Sequence, residues 1–254
     1  MSSRRRASSR LVAVVGVVFA AAACGGAARG DKVQVTADRI GPPPPPPPPP
    51  STTLPDPPTP AADVRGGARR VVVQGMDLTG VGHDRGSVTA PVVVVEFSDF
   101  GCPYCGAFAR ETYPALDQEF VQTGQVFFKY VPFVIGMFPH GDLAARASEC
   151  AADQHDFWPM YEQLYAVQTD WKRSGDPASL FRQYAASAKL DGARFATCYA
   201  GAEVGQRVAL SNAFASRLRI RATPTFFVDG RMLEGALPLQ QFRQLLSGMV
   251  QTGR

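Results

Sequence analysis

The chain reads as an α/β domain carrying an all-helical insertion, and three features point there. Pro91 to Phe97 is a continuous, mostly β-branched run, the pattern of a strand buried on both faces. It runs almost directly into Cys102-Pro103-Tyr104-Cys105, where a helix opens. Far downstream, Thr225–Val228 reads as a strand, Asp229-Gly230 as its turn, and Met232-Leu233 as the returning partner. A helix from Pro238 to about Val250 closes the chain.

Taken in order, Val71-Val72-Val73 is a short strand, followed by the Pro91–Phe97 strand and a helix from Cys102 to about Phe120. Val126 to Phe133 is the next strand. A helical block follows. Leu143, Ala147, Cys150 and Ala151 recur at helical spacing, as do Phe157, Tyr161, Leu164 and Tyr165. His140, after Phe138-Pro139, starts the first of these helices and reads as structural. Asp176 is an N-cap followed by proline at the first helical position, which opens a helix through about Lys189. Val204, Val208, Ala215 and Leu218 mark another. Trp158, Trp171, Tyr161 and Tyr165 read as core and rim of the block rather than as a cofactor box. No internal repeat is present.

With 254 residues, 45% of them hydrophobic and 19% charged, the chain can bury a core, so wholesale disorder is excluded. The net charge of +4 is carried by the leader: residues 1–23 hold Arg4, Arg5, Arg6 and Arg10 and no acid. The remaining body is neutral, which gives no electrostatic footprint for nucleic acid.

Those arginines precede an apolar run from Leu11 to Ala23, too short to span a membrane and suited to a signal peptide over residues 1–23. Ala21-Ala22-Ala23-Cys24 resembles the lipobox of bacterial lipoproteins, with Ala21 where leucine is usual. Cys24 is therefore the expected lipidation site and membrane anchor; ordinary cleavage after an Ala-x-Ala site, giving a periplasmic or secreted protein, is the alternative. Both readings export the chain to the extracytoplasmic side, where paired cysteines form disulfides. Residues 24–70 show no periodic apolar pattern. Thirteen of the 22 prolines fall between Pro42 and Pro60, so this tether should extend as polyproline II, a spacer of roughly 60 Å. The globular domain occupies 71–254, with the helical insertion at about 138–220.

The chemistry sits at the Cys-x-x-Cys pair. Such a pair is half a zinc site or a redox dithiol. Zinc needs a second ligand pair, and Cys150, Cys198, His83, His140 and His155 do not supply one at suitable spacing. No metal and no cofactor is expected. A cysteine at a helix start meets unpaired N–H groups and the positive end of the helix dipole. Cys102 should therefore ionise readily and act as the attacking or leaving sulfur. Cys105, one turn further in, should be more buried and act as its resolving partner. Pro103 suits the first helical turn.

Glu96-Phe97-Ser98-Asp99-Phe100-Gly101-Cys102-Pro103-Tyr104-Cys105, together with Ala222-Thr223-Pro224-Thr225-Phe226-Phe227 and Asp229-Gly230, resembles the DsbA-type branch of the thioredoxin superfamily over about residues 71–250. The resemblance implies a thioredoxin fold with a helical insertion. It also implies that Cys102 forms the mixed disulfide, that Cys105 resolves it, and that Glu96 is a buried carboxyl relaying the Cys105 proton. Thr223-Pro224 matches the cis-proline loop, where the Thr223 backbone can pair with a substrate strand. The Pro103-Tyr104 pair departs from the Pro-His of the most oxidising members and lacks an imidazole to favour the thiolate.

Cys150 and Cys198 both fall in the insertion, and in an exported protein they read as a structural disulfide between two helices; two free buried thiols are the alternative. The expected activity is a thiol:disulfide oxidoreductase that introduces or exchanges disulfides in secreted or cell-envelope proteins. A disulfide reductase or isomerase, and a non-catalytic tethered binding module, are the competing readings. Expected partners are reduced, unfolded exported proteins. A membrane quinone-linked protein that reoxidises the dithiol is implied by the resemblance alone. Residues 25–70 are too proline-rich to form a dimerisation domain, so a monomer is expected.

Overall fold

The computed structural model describes residues 69–252. The expected signal peptide, Cys24 and the expected tether up to residue 68 lie outside the described residues. Arg69 anchors the start of the domain by donating from its guanidinium to Val88 O and Ala90 O (3.1 and 2.6 Å).

A short hairpin of β1 (Val72–Val73) and β2 (Met76–Asp77) comes first. The main sheet contains β3 (His83–Arg85), β4 (Val92–Ser98), β5 (Val126–Pro132), β6 (Thr225–Val228) and β7 (Arg231–Glu234), in spatial order β3-β5-β4-β6-β7. Only β4 and β5 run parallel; the other pairs are antiparallel. The β-branched run therefore becomes the central strand, covered on both faces. The β-alternation divides the core into two clusters. Val92, Val94, Val126, Phe128 and Tyr130 face one cluster, while Val95, Phe97, Phe127 and Val131 face the other.

After β4 the chain turns into α1 (Pro103–Ala107), a π-helical turn (Phe108–Thr112), α2 (Tyr113–Leu116) and a second π-helical turn (Asp117–Val121). Apolar spacing reads this stretch as one helix, because widened turns keep the same buried face. The helical block comprises α3 (Gly141–Ala152), α4 (Phe157–Ala166), α5 (Gln168–Arg173), α6 (Pro177–Ser187), α7 (Gly192–Ala200) and α8 (Ala202–Arg217), and α9 (Leu239–Thr252) ends the domain. Asp176 caps α6 by accepting from Ser179 N (3.0 Å), as its sequence position implies. The β3 strand has no sequence signature. His83-Asp84-Arg85 lacks alternation, and it is held by pairing with β5 and by the buried Lys129 ammonium, which reaches Asp84 and Val81 O.

Phe157, Tyr161, Tyr165 and Trp171 are buried in the larger cluster. Trp158 packs against it and stacks on Tyr113. Cys150 on α3 and Cys198 on α7 are joined by a disulfide. It closes a loop of 48 residues, worth about 4 kcal/mol in the chain-entropy model. Replacing both cysteines with alanine is therefore expected to lower unfolding stability by several kcal/mol while leaving the Cys102–Cys105 reaction intact. Denaturant unfolding of the double variant checks this.

Candidate active site

The site forms where β4 ends. Ser98 closes the strand, Asp99 begins a tight turn in which Cys102 N donates to Asp99 O (3.0 Å), and Cys102 becomes the N-cap of α1. Its backbone is extended, and its carbonyl accepts from Gly106 N (3.1 Å), so the sulfur sits at the unpaired amide end of the helix. Pro103 occupies the first helical turn, where no amide is needed. Tyr104 projects outward, 67% exposed. Cys105 lies one turn in and is fully buried; Cys102 is only 1% exposed, and both are free thiols.

The second half of the site comes from the distant end of the chain. The Thr223–Pro224 peptide bond is cis, and it directly precedes β6, the neighbour of β4. The Cys102 thiol donates to Thr223 O at 3.3 Å. Two motifs separated by 121 residues thus meet at one sulfur.

The two sulfurs have opposite electrostatics. Cys102 is brought down from 9.0 to about 6, first by the Cys105 thiol hydrogen-bonding to it and with smaller help from Thr223 and the Cys105 and Tyr104 amides, against the cost of burial. Cys105 is pushed well above the ordinary thiol value, first by burial and then by the Cys102 sulfur. Sequence reasoning assigned the acidity of Cys102 to helix amides and dipole. The amides contribute, but the neighbouring thiol contributes most.

Glu96 sits on β4 directly opposite Tyr130 and is fully buried. Neither carboxyl oxygen has a hydrogen-bond partner among the described residues. Burial pushes its carboxyl from 4.5 up to about 8, and the Cys102 charge adds to the rise.

Three further residues, which the sequence reading assigned no role, hold the turn. Asp99, 1% exposed, accepts from Gly101 N (2.8 Å) and from Ile135 N (3.0 Å). Gln168 at the start of α5 donates through one nitrogen to Phe100 O (2.6 Å) and Cys102 O (2.8 Å). Lys172 donates to Gly101 O (2.6 Å). Every carbonyl from Phe100 to Cys102 is therefore gripped by α5 of the insertion. Among the described residues no group of three or more His, Cys, Asp or Glu side chains could hold a metal ion.

A family model described as thioredoxin matches residues 79–247, more than half of the chain. The chain belongs to the thioredoxin family. Its architecture is of the DsbA type. The DsbA1 crystal structure from Wolbachia pipientis superimposes with a TM-score of 0.61 over 67% of this chain and 91% of that one, at 20% identity. BdbD from Bacillus subtilis superimposes with a TM-score of 0.60 over 66% and 92%, at 25% identity. Among curated relatives, disulfide bond formation protein D of Bacillus subtilis is 27% identical over 176 residues, 63% of this chain and 73% of that protein. The Na(+)/H(+) antiporter NhaA 3 of Salinispora tropica is 37% identical over 155 residues, 60% of this chain. This thioredoxin-family chain spans only 22% of that antiporter's length, and 23% and 24% of two further antiporters.

Proposed function

We propose that this protein is an exported thiol:disulfide oxidoreductase whose Cys102–Cys105 disulfide is passed to reduced proteins outside the cytoplasm. The observation that carries the reading is the convergence at one sulfur. The acidic Cys102 caps α1, touches the Thr223 carbonyl before cis-Pro224, and shares its hydrogen bond with a buried thiol held far above neutral. Likeness to disulfide bond formation protein D points the same way. No transport activity is carried over from antiporters of which the chain spans under a quarter.

In the forward reaction a substrate thiolate attacks Cys102 Sγ of the oxidised site. The Cys102–Cys105 bond breaks and Cys105 leaves with the electron pair. Cys105 strongly favours its protonated form, and Glu96, still protonated below about pH 8 and electrostatically coupled to Cys105, is the buried acid that would supply the proton. A second substrate thiolate then attacks the substrate sulfur of the mixed disulfide, and Cys102 departs as a thiolate already stable near neutral pH. The substrate's two thiolates lose two electrons, which the dithiol gains; Cys105 takes the proton of Glu96, which is restored from solvent, and Cys102 remains a thiolate. The Thr223–Pro224 loop, buried beside the sulfur and preceded by the exposed Arg221 and Ala222, would align the substrate backbone there.

In this reading residues 1–23 direct export, Cys24 carries a lipid anchor, and the tether holds the domain away from the membrane. A membrane protein would reoxidise the dithiol, and reduced exported proteins would be its substrates.

The test is stoichiometric oxidation of a reduced two-cysteine peptide by the oxidised protein, with a glutathione equilibrium alongside. Oxidation is expected, at a potential below the roughly −120 mV of the most oxidising relatives, because Tyr104 offers no cation to the thiolate. Tyr104→His places an imidazole on the exposed first turn of α1. It is expected to lower the Cys102 midpoint further and move the glutathione equilibrium toward a stronger oxidant. An unchanged equilibrium in Y104H would contradict the role given to that position. Failure to oxidise the peptide, combined with failure to reduce insulin, would leave a tethered binding module instead.

A further inference from the structure

The turn that presents Cys102 is held from two sides by groups of opposite charge. The Asp99 carboxyl bridges Gly101 N, just before the nucleophile, and Ile135 N, on the segment after β5. Space for that carboxyl is reserved by two glycines. A Cβ on Gly141, at the start of α3, would collide with it, and a Cβ on Gly101 would press on both Asp99 and Phe138. From the other side the Lys172 ammonium bonds Gly101 O and lies 5.5 Å from the centre of the Phe138 ring. A buried carboxyl that serves only as a turn cap would be replaceable by a neutral acceptor; one that keeps a cation and an acidic thiol as its electrostatic neighbours is a charge placed where the chemistry is sensitive to charge.

We propose that Asp99 is a positioning residue for the Cys102–Cys105 dithiol, its carboxylate and the Lys172 ammonium forming an opposed pair that sets how readily Cys102 carries negative charge. The inference deepens the oxidoreductase reading and rests on it. The groups facing Asp99 can be named by element. The active-site turn brings Cys102 and α5 brings Lys172, the two charges that act on it. The segment 133–139 carries no ionisable side chain. The start of α3 meets it with Gly141, between His140 and Asp142. Burial raises the Asp99 carboxyl to about 6, and the Cys102 charge raises it further while Lys172 lowers it. Coupling of this kind is reciprocal, so an ionised Asp99 must oppose the Cys102 thiolate. Lys172, bonded to Gly101 O one residue before the nucleophile, would favour that thiolate. The insertion thereby does electrostatic work on the dithiol that the first helical turn, with Tyr104, leaves undone.

The test is the pH midpoint of the Cys102 thiolate, read by absorbance near 240 nm and by iodoacetamide trapping in the reduced full-length protein. Asp99→Asn keeps the shape and removes the charge. Its midpoint is expected to fall by about half a pH unit, with trapping at pH 6, where Asp99 carries charge, roughly one and a half times faster. Lys172→Gln, on a partly exposed side chain, is expected to move the midpoint upward by a similar amount. A purely structural role would lower the melting temperature of D99N without moving its midpoint. That result, or a K172Q midpoint equal to wild type, overturns the proposal. If D99N does not fold, K172Q alone decides: an upward shift supports the pair and no shift refutes it. Peptide oxidation by the wild type, run in parallel, reports separately on the oxidoreductase reading, since the midpoints are measurable whether or not the peptide is oxidised.

Discussion

Cys102→Ser is expected to abolish oxidation of a reduced peptide, a loss of roughly a thousandfold or more, because no other described sulfur can receive the substrate thiolate. Cys150 and Cys198 are already joined to each other, and Cys105 is fully buried behind Cys102. Cys105→Ser should behave differently. The acidic Cys102 thiolate is retained, so it should form a mixed disulfide with glutathione or peptide, and without the resolving thiol that adduct should persist. Mass spectrometry distinguishes the two variants: an adduct mapping to Cys102 in C105S, and none in C102S. Appreciable turnover by C102S would contradict the assignment of the nucleophile. The asymmetry follows from position and electrostatics, since one sulfur is acidic and bonded to the cis-proline loop and the other is neither.

Glu96→Leu is expected to stabilise the reduced protein, and to do so more as pH rises. The fully buried Glu96 carboxyl titrates near 8 in the folded protein instead of 4.5. A raised carboxyl pKa means that between about pH 4.5 and pH 8 the folded state holds a proton the unfolded chain has released. Stability contributed by the neutral acid is therefore full below 4.5 and lost progressively up to 8. The full span corresponds to roughly 4–5 kcal/mol, an upper value because the carboxyl has no partner here and water would lessen its cost. Denaturant melts at pH 5 and pH 8 check it. The wild type should lose much more stability than E96L across that interval. Equal losses would show that Glu96 does not stay protonated when folded. The same variant should slow disulfide exchange, because the proton source for Cys105 is gone.

Much of this arrangement is legible in the sequence because it is local. The β-branched run fixes a doubly covered strand, and Cys102 at its exit fixes a sulfur at a helix start. Asp176-Pro177 marks a helix N-terminus through its own side chain. Thr225–Val228 and Asp229-Gly230 announce a hairpin, which forms as β6 and β7. What stays hidden depends on distant partners. β3 exists because β5 and the buried Lys129 receive it, not because His83-Asp84-Arg85 favours a strand. Gln168 and Lys172 lie 66 to 71 residues from the carbonyls they hold, on a short helix with no distinguishing pattern. Asp99 stands inside the motif itself, yet its role depends on Ile135 and Gly141, which only folding brings near. The π-helical turns at Phe108–Thr112 and Asp117–Val121 escape notice because apolar spacing cannot resolve one extra residue per turn.

Titration of the reduced wild-type protein decides the matter most directly. One thiolate should appear with a midpoint near 6 and map to Cys102 by alkylation, while Cys105 stays protonated well beyond pH 9. Two thiols that both ionise close to 9 would mean that neither the helix end, the neighbouring thiol nor the cis-proline loop activates Cys102, and the oxidoreductase reading would lose its physical basis.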